Sequence, residues 1–147
     1  MRLHTASEVI SFTKELESES AKFYQDLSQR YDGEQDVFLS FAKENGKNSL
    51  QIERAYYGVI SDALEGCFAF DIEPSDYTFE IALAGDTSYS DALGKAVDIE
   101  EKIIRFYTDA AEQSKSLMAD IPRNFTIIAK KRSNRIAKLK SLVEKRG

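Results

Sequence analysis

The sequence predicts an all-α fold: a bundle of four long amphipathic helices, arranged as two helical hairpins joined by a long crossover. Three observations predict it. Apolar residues recur at three- and four-residue spacing in four separate segments. Only two prolines fall in 147 residues, so little interrupts those segments. A longer connection, from about Gly66 to Tyr89, separates the second segment from the third, which is what a bundle needs when its two hairpins are joined parallel.

The first helix is expected from about Thr5 to Tyr31, with Val9, Phe12, Leu16, Phe23 and Leu27 on one stripe. Thr5 and Glu8 have the spacing of a capping box, and Asp32-Gly33 ends the segment. The second is expected from about Glu34 to Leu64, on Phe38, Phe41, Ile52, Ala55 and Val59. The third runs from Ser88 or Ser90 to about Ser116, on Leu93, Ala96, Ile99, Ile103, Phe106 and Ala110. The fourth follows Asp120-Ile121-Pro122, a cap with proline in the first turn, and is marked by Phe125, Ile128, Leu139 and Leu142. Within the crossover, a short helix is expected near Tyr77 to Leu83. The aromatics Phe68, Phe70, Tyr77 and Phe79 read as a cap on the bundle or as part of a dimer face.

Composition narrows the class. At 42% hydrophobic and 31% charged, the chain reads as one globular domain spanning residues 1–147. The N-terminus lacks the apolar core of a signal peptide, and no stretch is apolar enough to span a membrane. A lone Cys67 has no intrachain partner for a disulfide and reads as a small buried hydrophobe, so a cytoplasmic location is expected. Charge is uneven. Residues 130–147 carry eight basic side chains against the single acid Glu144, a net +7, leaving −12 for the remainder. Nucleic acid is not the expected partner, because the basic segment lacks the interleaved aromatics on which bases stack. A basic helix packed against acidic ones accounts for the asymmetry.

An internal repeat points to the bundle centre. Residues 15–26 align with 98–109 at an offset of 83, matching Glu17 with Glu100, Phe23-Tyr24 with Phe106-Tyr107, and Asp26 with Asp109. In each copy Glu precedes Tyr by seven residues, close to two helical turns, so the pair shares a face. The second and fourth helices repeat too. Phe38, Phe41, Asn45, Asn48, Ile52, Ala55 and Phe125, Ile128, Arg132, Arg135, Leu139, Leu142 follow the same 3-4 spacing at an offset of 87. Each series is apolar except for two polar positions at mid-helix. The reading is a polar slab across the bundle, formed by Asn45, Asn48, Arg132 and Arg135 facing Glu17 and Glu100.

Glu-x6-Tyr on the odd helices and paired polar positions three apart on the even helices resemble the rubrerythrin branch of the ferritin-like proteins. The likeness runs from Ala6 to about Leu142. It implies a ferritin-like bundle, a tendency to form homodimers, and a di-iron site built from one Glu on each odd helix and Glu-x-x-His on each even helix. Glu17 and Glu100 match the single-Glu ligands, with Tyr24 and Tyr107 as the neighbouring tyrosines. The other positions depart from the family, with Asn45-x-x-Asn48 and Arg132-x-x-Arg135 in place of Glu-x-x-His. The sole histidine, His4, precedes the first helix.

Without metal, two buried carboxylates need another source of positive charge. The expectation is that Arg132 and Arg135 pair with Glu17 and Glu100, and that Asn45 and Asn48 fill the remaining hydrogen bonds. No cofactor and no catalytic residue are then expected, and the implied role is structural or interactive. The alternative is a divergent metal-binding oxidoreductase, a rubrerythrin-like peroxidase with an all-oxygen site for iron or manganese. Its ligands would be Glu17 and Glu100, with Glu44, Glu53 and Glu101 as further oxygens.

Overall fold

Two of the helix starts follow from caps that the local sequence supplies, Thr5 and Ser88. A computed structural model describes residues 2–59, 68–115 and 120–146. Helix α1 spans Ala6–Arg30. Its capping box is closed: Thr5 Oγ1 accepts from the Glu8 amide at 3.2 Å, and the Glu8 carboxylate accepts from the Thr5 amide at 3.0 Å. The helix stops at Tyr31, and Gly33 takes a φ of 105° in the turn that follows, a conformation that costs glycine nothing. Helix α2 spans Gln35–Val59. Helix α3 spans Tyr89–Gln113, capped by Ser88, whose Oγ accepts from the Asp91 amide at 3.1 Å. Helix α4 spans Asp120–Arg146, with Pro122 in its first turn. The expected ends near Leu64 and Ser116, and Cys67 itself, lie outside the described residues.

The four helices share one core. Helix α1 packs along α2, α3 along α4, and α2 also meets α4, while α1 touches α3. Phe12, Phe23, Leu27, Phe38, Ile103 and Phe125 are all buried there. Phe106 is its aromatic hub, edge-on to Phe12 at 5.3 Å and to Tyr77 at 5.5 Å between ring centroids. The protein is mostly helical. Among the described residues, no helix is long and apolar enough to cross a membrane.

The crossover departs from the sequence reading. No helix forms over residues 77–83. Strand β2 (Phe68–Ile72) instead pairs antiparallel with β1 (Leu3–Thr5), setting Leu3 opposite Ile72, and a 3-10 turn follows at Pro74–Asp76. Beyond it the backbone has no regular secondary structure as far as residue 84, and long side chains of the flanking helices satisfy several of its carbonyls. Arg30 donates to Leu83 and Ala84 O at 2.9 Å, Lys95 to Ala82 O at 2.7 Å, and Lys102 to Thr78 O at 2.9 Å. With its acceptors met from outside, this stretch does not need intrahelical bonds. Phe70 and Tyr77 are buried and Phe79 packs partly against the core, so these three rings cap the helices and are not left as an outward face.

Candidate functional site

The interior contains a polar layer at mid-height, and helical periodicity places each member. Glu17 shares the inward face of α1 with Leu16, and Glu100 that of α3 with Ile99. Asn45 and Asn48 face inward from α2, and Arg132 and Arg135 from α4. All six are at most 2% exposed.

Arg132 is the hub. Its Nη1 lies 2.6 Å from both carboxylate oxygens of Glu100. Its Nη2 and Nε reach Glu17 Oε2 at 2.7 and 3.2 Å. Nη2 also donates to Asn45 Oδ1 at 3.1 Å, and Nη1 approaches Ser20 Oγ at 3.5 Å. Each carboxylate thus meets a different edge of the planar guanidinium, a geometry that an ammonium group does not offer. Burial pulls the Arg132 pKa down, but the Glu100 and Glu17 charges outweigh it and hold the guanidinium well above its usual range. The Asn45 amide donates to Ser20 Oγ at 3.1 Å, and the Asn48 amide to Glu17 Oε1 at 3.2 Å. Tyr107 donates to Glu17 Oε2 at 2.6 Å.

Arg135 meets the sequence-based expectation in part: it stays buried and forms an ion pair with Glu100, but without a hydrogen bond to it. Its hydrogen bonds go from Nε and Nη2 to Glu44 Oε1 at 3.3 and 3.1 Å and from Nη2 to Phe41 O at 2.9 Å. Its nearest approach to Glu100 is 3.8 Å, from Nη1. Its guanidinium carbon sits 4.9 Å from the Phe41 ring centre and 5.5 Å from that of Tyr24, so Glu44, Glu100 and the aromatic faces together balance its charge. The reason is reach: Arg132 already engages both oxygens of Glu100, leaving Arg135 to find its carboxylate one turn outward.

The repeat is therefore broken in its partners. Tyr107 bonds Glu17, but the equivalent Tyr24 faces Glu100 without closing a hydrogen bond. Burial, and then the neighbouring carboxylate (Glu17 for Tyr107, Glu100 for Tyr24), push both phenols well above their ordinary pKa. Asn48 Oδ1 and Arg135 Nη1 are likewise buried without a hydrogen bond. Ser20 is a member of the layer that the sequence reading does not name, although it shows as a polar gap between Leu16 and Phe23 on the α1 stripe. Glu44, expected only as a further oxygen of a metal site, is instead a partner of Arg135.

The donor set does not suit a metal pair. Four of the six positions carry amides or cations, and the guanidinium of Arg132 occupies the space between the two carboxylates. The remaining acids do not converge: Glu44 is engaged by Arg135, Glu53 by Lys14, and Glu101 is exposed. Among the described residues, no three His, Cys, Asp or Glu side chains gather as they would around a metal ion. Comparison with protein-family models, curated proteins and solved structures gave no match to the chain.

Proposed function

We propose that this chain is a non-catalytic, rubrerythrin-like member of the ferritin-like proteins. In this reading its four helices form the ferritin-like bundle of two hairpins, and an arginine stands where the family carries iron. The observation that supports the reading is Arg132, fully buried and joined to both Glu17 and Glu100. Two irons would bring at least four positive charges; here Arg132 supplies one, between the two acids, and Arg135, 3.8 Å from Glu100, supplies the second that matches the two carboxylates. Four more carboxylate or imidazole ligands would be needed for the family's chemistry, and their places hold Asn45, Asn48, Arg132 and Arg135. The role left to such a chain is structural or interactive, as a homodimer by analogy with its proposed relatives.

Elemental analysis of protein purified from iron- and manganese-supplemented cells tests this. Metal well below one equivalent, unchanged by Glu17→Ala, is the expected result. Near-stoichiometric iron or manganese that disappears in Glu17→Ala would replace it with the divergent metal-binding reading.

A further inference from the structure

We infer that the outer face shared by α2 and α4 docks an acidic amphipathic helix of another protein. The crossover runs beside α1 and α3, where Lys95 and Lys102 hold it, and the α2/α4 side has no such cover among the described residues. There Leu39, Leu50 and Tyr57 are 49%, 44% and 66% exposed. At about 100° per residue they fall within roughly 20° of one line along α2, and the line is about 27 Å long, matching five turns of a partner helix. Large apolar side chains repeated along one exposed line signal an interaction surface more than isolated ones do.

Charge names the partner's chemistry. Lys43, Lys47 and Arg54 flank this line on the side toward α4, where Gln51 joins the two helices by donating to Asn124 at 2.7 Å and accepting from Lys131 at 3.1 Å. The acids of this part of α2 are turned elsewhere, Glu44 to Arg135 and Glu53 to Lys14. Several exposed cations on other faces have partners, Arg2 with Asp71, Arg30 with Asp26 and Lys115 with Glu112, although Lys130 and Lys140 form no ion pair among the described residues. Lys43, Lys47, Arg54 and Lys138 form no ion pair among the described residues. Between the helices lies an open groove of about 510 Å³, lined by Lys47, Leu50, Gln51, Arg54, Ala55 and Asn124.

An apolar ridge beside a row of unpaired cations complements a helix with a leucine-like stripe bordered by Glu or Asp. Two-fold pairing of this face with itself would set cation row against cation row, which disfavours a second copy.

The test uses the full chain and a synthetic, end-blocked amphipathic peptide with leucines at helical spacing flanked by glutamates. A second peptide with lysine in place of every glutamate is the control. Titration into isotope-labelled protein should shift the amide resonances of Lys43 to Tyr57 and of Asn124 to Lys138. The acidic peptide alone should bind, and the Lys47→Glu/Arg54→Glu double variant should weaken it roughly tenfold or more. Equal binding of both peptides, undiminished binding to the variant, or no binding of the acidic peptide overturns the inference. So does tighter engagement of the same residues by phosphatidylglycerol vesicles or duplex DNA. These results are independent of metal content, so docking can fail while the proposed function stands, and the reverse.

Discussion

At the residue scale, the chain depends most on Arg132. Removing one partner of a buried, hydrogen-bonded ion pair leaves the others charged and desolvated. Arg132→Ala orphans two carboxylates together, so it should destabilise by about 3–5 kcal/mol, read as a shift in denaturant midpoint. A change near zero would mean that Glu17 and Glu100 do not rely on this arginine. The buried phenols give a second prediction with a definite sign. Tyr24 and Tyr107 have folded-state pKa values raised well above the ordinary phenol range, by burial and then by the adjacent carboxylates. Their contribution to stability is complete below the unfolded-chain value near ~10 and is lost as pH climbs toward the folded-state value. Stability should therefore fall on the alkaline side, and tyrosinate absorbance of these two rings should appear only with unfolding. A Tyr24→Phe/Tyr107→Phe variant should lose stability less steeply above that pH.

At the scale of the element, local chemistry sets where helices begin. The Thr5–Glu8 box ties the first turn of α1 to the end of β1, and Glu8 also accepts from the His4 amide at 2.9 Å. Thr5→Ala should cost about 0.5–2 kcal/mol, measured by chemical denaturation. The Glu8 pKa is lowered by the His4 and then the Thr5 amide bonds. Its contribution is therefore present above the ordinary Glu range and lost as pH falls through the lowered value, so Thr5→Ala and wild type should converge in acid. The caps at Thr5 and Ser88 and the four apolar stripes were legible in the sequence because each depends on residues within a turn or two of one another. The ribbon was not, since Leu3 pairs with Ile72 across most of the first half of the chain. The same holds for the stretch after Asp76, whose carbonyls are satisfied by Arg30, Lys95 and Lys102 from two different helices.

For the whole molecule, one contrast organises the charge. The basic C-terminal helix sends Arg132 and Arg135 inward to acids on α1, α3 and α2, while Lys131 faces Gln51 of α2 and Lys145 pairs with Glu34. If the chain is a homodimer, as the proposed kinship implies, light scattering at two concentrations well above the dissociation constant should return twice the chain mass at both; a monomer mass at both would remove that part of the proposal.

The sequence by itself determined which residues form the polar layer. Periodicity puts Glu17, Asn45, Asn48, Glu100, Arg132 and Arg135 on inward faces, and the two internal repeats put them at one level. Only the tertiary structure decided how they pair. Arg132 hydrogen-bonds both acids, whereas Arg135 reaches Glu100 only at 3.8 Å and gives its hydrogen bonds to Glu44 and Phe41 O, a choice between two arginines one turn apart on the same helix face. Periodicity fixes the direction of a side chain to within a fraction of a turn. A hydrogen bond is decided over tenths of an ångström, which the packing of separate helices alone sets.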